Sequence, residues 1–110
     1  SKTVVLFWNT GCGFCQRMLP DLEEWEVTRP SGAPRLLVVS AGSEEEVRAM
    51  KLRSPVVMNP DFSVAQQYGA GGTPTGVLVD EEGYVASPVV AGAEAVLTLA
   101  KAETAIPAHP

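Results

Sequence analysis

The sequence predicts an α/β domain. Its centre is a mixed four-stranded sheet, two strands parallel and two in an antiparallel C-terminal hairpin, flanked by helices. Three observations carry this. Two short apolar runs, Thr3-Val4-Val5-Leu6-Phe7-Trp8 and Leu36-Leu37-Val38-Val39, have the length and β-branched content of buried strands. Between them, Cys15, Met18, Leu19, Leu22 and Trp25 recur at spacings of three and four, the period of an amphipathic helix. Near the end, Thr75–Val79 and Tyr84–Ala86 are separated only by Asp80-Glu81-Glu82-Gly83, a link short enough for a hairpin.

The elements follow in order. Thr3–Trp8 is apolar without interruption, so both of its faces should be covered. The helix after it contains Pro20, where a kink is expected. Pro30-Ser31-Gly32-Ala33-Pro34 is a loop leading to the second strand, and strand–helix–strand in this order makes a parallel pair with a right-handed crossover. Ser43-Glu44-Glu45-Glu46 carries Ser at the cap and Glu three positions on, opening a short helix to about Leu52. Val56-Val57-Met58 is a short extended piece. Asp61 can cap a helix over Phe62–Tyr68 that Gly69 stops, and Gly71-Gly72-Thr73-Pro74 is a turn. Ala93, Val96, Leu97 and Ala100 share one face of a closing helix. One domain over 1–105 and a frayed tail over 106–110 are expected.

Composition removes some function classes. The net charge is −5 and no run of Lys or Arg occurs, which argues against a nucleic-acid surface. The acids gather in Glu23-Glu24-Glu26, Glu44-Glu45-Glu46 and Asp80-Glu81-Glu82, and these read as solvated faces and a turn rather than a cation site. No stretch has the length of a membrane span, and no signal-peptide pattern is present. The chain starts directly on an apolar strand, so a mature or excised domain is expected, once preceded by a signal or a membrane anchor.

The chemistry lies in Asn9-Thr10-Gly11-Cys12-Gly13-Phe14-Cys15, which holds both cysteines of the chain. Tetrahedral zinc needs four ligands, whereas this chain offers two Cys and one His, His109 in the tail. A metal site within one chain is therefore not expected, while one shared between two copies stays open. As a structural staple the pair would close a loop of two intervening residues and restrain almost nothing. A redox role fits the setting better. A cysteine at a helix N-terminus faces unpaired N–H donors and the positive end of the helix dipole, and both favour the nucleophilic thiolate. Cys12 should attack, and Cys15, one turn along, should resolve the mixed disulfide. CxxC between a buried strand and an amphipathic helix is a strong redox signature. Pro74 by itself reads equally as an ordinary loop proline or as a cis-proline.

These residues resemble the thioredoxin-fold family from Val4 to about Lys101. Phe7-Trp8, Cys12-Gly13-Phe14-Cys15 and Pro20 match the family's strand, active site and kinking proline, and Thr73-Pro74 matches its cis-proline loop. The stretch GGTPTGVLVDEEGY is similar to the TlpA-like, extracytoplasmic branch. The resemblance implies a minimal thioredoxin-like fold and a thiol–disulfide oxidoreductase without bound cofactor or metal, with a redox-active disulfide between Cys12 and Cys15. Thr73 and cis Pro74 would bind substrate, their backbone pairing with an extended segment beside Cys12. Gly13 and Phe14 are candidates for substrate contact, though Phe14 also reads as an ordinary exposed apolar residue. Trp8 and Pro20 would be structural near the site, and Trp25, Met18 and Tyr68 read as core.

The partners implied are protein disulfides or dithiols and a membrane or soluble thiol electron donor, with reduction favoured. The chain would act as a monomer, or as part of a larger membrane-anchored protein. Its place would be extracytoplasmic, in the periplasm or on the outer face of the membrane, with the cytoplasm as the alternative.

The sequence departs from the family at three points. Leu6 stands where thioredoxins carry a buried Asp, Gly11 where they carry Trp, and the usual N-terminal strand and helix are missing. One sheet edge is then expected bare or covered by a partner. Peroxiredoxin chemistry is not expected, because no Pro or Arg precedes Cys12. A different class of function, a docking or copper-carrying module without turnover, remains the alternative.

Overall fold

Alternation along the first strand organises the molecule. The computed structural model describes residues 2–29, 32–59, 63–67 and 72–101. Strand β1 (Thr3–Asn9) sends Val4, Leu6 and Trp8 into the larger core cluster and Val5 and Phe7 into a smaller one. That is the period of two that a pleated strand imposes, with both faces buried. Helix α1 (Gly13–Thr28) runs through Pro20 and buries Cys15, Met18, Leu22 and Trp25 against the larger cluster. Strand β2 (Arg35–Ala41) returns parallel to β1, with Thr3 opposite Arg35 and Asn9 opposite Ala41.

Helix α2 (Glu44–Met50) starts on Ser43, whose hydroxyl accepts from the Glu46 backbone N–H. It ends at Met50, two residues before Leu52, and is capped by Lys51, which adopts the left-handed conformation with φ 55°. Strand β3 (Val56–Met58) pairs parallel with β2. Helix α3 (Ser63–Gln67) follows; the expected cap Asp61 and stop Gly69, with Phe62, Tyr68 and Gly71, lie outside the described residues. So do Pro30, Ser31 and the tail over 106–110. Strand β4 (Thr75–Val79) runs antiparallel to β1, strand β5 (Val90–Ala91) pairs with β4, and helix α4 (Ala93–Lys101) closes the fold. Gly76 lets α4 approach the sheet closely, since a Cβ there would press on Val96 at 3.3 Å.

The sheet therefore has five strands, in the order β3-β2-β1-β4-β5, where four were expected. Two differences account for this. Val56–Met58 is a full sheet member, and it occupies the edge beside β2, where an edge bare or covered by a partner was expected. Tyr84–Ala86 makes only a single bridge, Val79 to Val85, and β5 takes the remaining edge. The hairpin turn itself forms, with Asp80 N–H donating to the Tyr84 carbonyl. The ladder then stops because Ser87 Oγ accepts from Leu78 N–H and Pro88 has no N–H to continue it. Among the described residues no helix is long and apolar enough to cross a membrane.

Candidate redox site at the start of the first helix

The site sits where β1 ends and α1 begins. Asn9 opens the turn: its side chain accepts from Gly11 N–H at 2.8 Å and its carbonyl from Cys12 N–H at 3.0 Å. Such side-chain-to-backbone turns are a known use of Asn. Cys12 is then the helix N-cap, with extended backbone at φ −88° and ψ 123°, and its carbonyl accepts the first helical bond from Gln16 N–H. Gly13 is the first helical residue. Phe14 projects outward at 64% exposure, and the Arg17 guanidinium lies 4.9 Å from its ring centroid. Cys15, one turn in, is fully buried at 0% exposure in the larger core cluster, beside Trp8.

The second wall comes from 61 residues away. The Thr73–Pro74 peptide bond is cis. The Cys12 thiol donates to the Thr73 carbonyl at 3.3 Å. Pro74 is buried, and its carbonyl accepts from Gly92 N–H, which ties this loop to the β5–α4 junction. A cavity of about 410 Å³ opens beside it, lined by Gly72, Thr73, Pro74, Thr75, Val89, Ala91 and Gly92.

The two thiols differ. Burial pushes the Cys12 thiol up, but hydrogen bonds from the Thr73 side chain, the Cys15 N–H, the Cys15 thiol and the Phe14 N–H outweigh it, leaving the pKa below the ordinary 9.0. These donors favour the ionised sulfur. Burial dominates at Cys15, and the neighbouring Cys12 sulfur adds to it, so that thiol is pushed up to about 11. Leu6, the position without an acid, is fully buried in β1. Both cysteines are free thiols. Among the described residues no cluster of three or more His, Cys, Asp or Glu could hold a metal.

The structure thus brings Cys12, Gly13, Phe14, Cys15, Thr73 and Pro74 together. Trp8 lies beneath them, and Pro20 is an exposed residue further along α1. Sequence reasoning missed the supports of the loop. Thr10 donates its hydroxyl to Glu46 Oε1 at 2.8 Å, and its carbonyl accepts from Gln16 Nε2 at 2.9 Å. Only the Asn-x-Gly turn had a local signal.

The chain is similar in sequence and in fold to known thiol-disulfide oxidoreductases. Sporulation thiol-disulfide oxidoreductase A of Bacillus subtilis is 26% identical over 92 residues, covering 76% of this chain and 56% of its own. Thiol-disulfide oxidoreductase ResA of Geobacillus thermodenitrificans is 30% identical over 84 residues, covering 72% and 48%. The chain spans about half the length of these curated relatives. The crystal structure of StoA from Bacillus subtilis superposes with a TM-score of 0.71 at 25% identity, covering 87% of this chain and 79% of that one. The model of the AhpC/TSA family, whose fold here is the thioredoxin fold, matches residues 1–87, and the chain belongs to that family.

Proposed function

We propose that this chain exchanges disulfides with protein substrates through Cys12 and Cys15, with Cys12 as nucleophile and Cys15 as resolving thiol. The observation that carries this is the asymmetry of the pair: Cys12 is partly exposed and acidified, while Cys15 is buried and held protonated. A nucleophile must reach its target ionised, whereas a resolving thiol is needed only after the target is captured.

The steps balance as follows. The Cys12 thiolate attacks one sulfur of a substrate disulfide; that S–S bond breaks and the other substrate sulfur leaves as thiolate. Cys15 gives up its proton and attacks Cys12 Sγ, expelling the second substrate thiolate and leaving a Cys12–Cys15 disulfide. The substrate gains two electrons; one of its two protons comes from Cys15 and the other, given up when Cys12 ionised, returns from water, and an external dithiol donor restores the pair. With Leu6 in place of an acid, the Cys15 proton passes to the departing thiolate or to water.

Thr73 and Pro74 line the cavity, Thr73 is hydrogen-bonded to Cys12, and the two would hold an extended substrate segment by backbone pairing, with the exposed Gly13 and Phe14 beside Cys12 as further candidates for substrate contact. The reducing direction and an extracytoplasmic location rest on the resemblance to the TlpA-like branch, and the names of the relatives support the oxidoreductase class. A copper-carrying role is less well supported, because Cys15 offers no exposed sulfur to a metal.

The test is a trap. Cys15→Ser incubated with a disulfide-bonded protein should accumulate a mixed disulfide through Cys12 that dithiothreitol releases. The wild-type chain should reduce insulin disulfides under a dithiol supply. If the variant captures nothing and the wild type turns nothing over, the oxidoreductase reading fails and docking without turnover takes its place.

A further inference from the structure

We infer that the chain carries a second binding site, at the pole opposite the thiols, for an oxyanion borne on an apolar body. The site is a bowl of about 450 Å³ lined by Trp25, Arg29, Arg35, Leu36, Arg53 and Pro55, among others. That volume lies in the range of small-molecule pockets, which pair a mostly apolar wall with a few placed polar groups. Its position follows from the fold. Thr3 and Arg35 begin β1 and β2, Pro55 precedes β3, and Trp25 and Arg29 stand at the end of α1. Cys12 lies beyond the other end of β1, so the length of that strand, roughly 20 Å, separates the two sites.

Charge gives the ligand its sign. The protein carries eight Lys and Arg against a net charge of −5, yet three arginines meet in this one cavity. Arg35 and Arg53 are exposed and make no ion pair among the described residues. Arg29 is held in place, donating to the Ala33 and Pro34 carbonyls, with its guanidinium 6.0 Å from the Trp25 ring centroid. Glu26, the one acid of the wall among the described residues, is engaged: it accepts from the backbone N–H groups of Arg53 and Ser54 and from the Ser54 hydroxyl. The lining is therefore net positive. Guanidinium forks suit the paired oxygens of carboxylate and phosphate.

Two further features point to an occupant. Trp25 is 5% exposed and, among the described residues, its buried indole Nε1 has no hydrogen-bond partner. Buried polar groups are normally paired. The apolar side chains of Trp25, Leu36, Leu37 and Pro55 supply contact for a ring or an acyl chain. Inorganic phosphate alone would leave that surface unused. The site is independent of the thiol chemistry and leaves the Cys12 face free.

The experiment is a titration of the whole chain, followed by the NMR cross-peaks of the indole N–H and the arginine side chains. Phenyl phosphate and benzoate are the soluble probes, benzyl alcohol is the neutral control, and phosphatidylglycerol vesicles against phosphatidylcholine vesicles form the lipid arm. Saturable shifts of the Trp25 indole and of Arg35 and Arg53 are expected with the anionic probes. Affinity should fall by about tenfold or more in Arg35→Gln/Arg53→Gln, which removes two charge-assisted contacts. Both side chains are exposed and Arg53 holds Glu26 through its backbone, so the variant keeps the fold and its dithiol exchange rate. Response to phenyl phosphate assigns a soluble ligand, and response to phosphatidylglycerol alone assigns a lipid headgroup; either supports the site. No saturable shift by ~10 mM of any probe overturns it. Equal binding of benzyl alcohol, or shifts unaltered in the double variant, overturns it as well.

Discussion

The thiol of Cys12 and the carbonyl of Thr73 are hydrogen-bonded at 3.3 Å, joining the start of α1 to a loop 61 residues later. The carbonyl can accept only from the protonated sulfur. The Thr73 side chain acts in the opposite sense, favouring the ionised form of Cys12 and also of Cys15. Thr73→Val keeps the shape and removes that hydroxyl. The Cys12 thiol should then titrate at higher pH, and its alkylation by iodoacetamide at neutral pH should slow severalfold. Thr73→Ser should restore both, because it returns the donor. Equal rates in all three proteins would remove the hydroxyl from the groups that activate the thiol.

Cys15 makes the reduced fold sensitive to alkali. Its folded pKa is about 11, above the ordinary 9.0, so folding favours the protonated thiol. That contribution is fully present below about pH 9 and is lost as pH rises through 11. Chemical denaturation of the reduced chain should show a loss of roughly 2 to 3 kcal/mol across this window. Cys12 has the opposite sign: its lowered pKa contributes stability above the ordinary thiol range, which is lost as pH falls through its folded value. Cys15→Ala should flatten the alkaline loss, and a decline of the same size in that variant would assign it to other groups.

Gly42 follows β2 and supports the redox loop from below. Its φ is +99°, and a Cβ at that position would collide with the Thr10 hydroxyl oxygen. Gly42→Ala therefore meets backbone strain and a contact that must shift. The cost should be at least ~1–3 kcal/mol in urea denaturation. Thr10 is two residues from Cys12, so dithiol exchange should slow in the same variant. Gly32, also at positive φ but with nothing near its Cβ, is the control: Gly32→Ala should lose stability without slowing exchange. Slowing of both to the same degree would break the link between Gly42 and the redox loop.

Much of this fold was legible because its central elements are long and strongly patterned. Seven-residue β1 and sixteen-residue α1 declare their periods, and the cysteines fall at their junction. The edges were less legible. Strand β5 has two residues and β3 has three, too few to show any alternation. Tyr84 and Val85 carry strand-forming side chains but are exposed, and the side chain of Ser87, not a backbone group, decides where their ladder ends. The asymmetry of the two thiols was legible in direction from position on the helix. Its cause at Cys15, burial in the core, needed the packing. The Thr10–Glu46 contact spans 36 residues and has no local signature.

That contact also separates two roles within one turn of α2. Ser43 and Glu46 look like a reciprocal cap, and Ser43 does accept from the Glu46 N–H at 3.2 Å. The Glu46 carboxylate, however, accepts from Thr10, which is buried. Ser43→Ala should lose about 1 kcal/mol, a fall of about 4–8 °C in Tm, with the exchange rate unchanged. Glu46→Ala leaves the Thr10 hydroxyl without its acceptor and frees the residue that positions the turn before Cys12, at a similar cost in stability of about 1–3 kcal/mol. Its dithiol exchange should slow, which the cap variant does not do. Glu46→Gln keeps an acceptor oxygen and should recover most of the rate, although the helix loses a favourable first-turn charge worth roughly 0.3–1 kcal/mol. If Gln fails to rescue, the carboxylate acts through its charge rather than through Thr10.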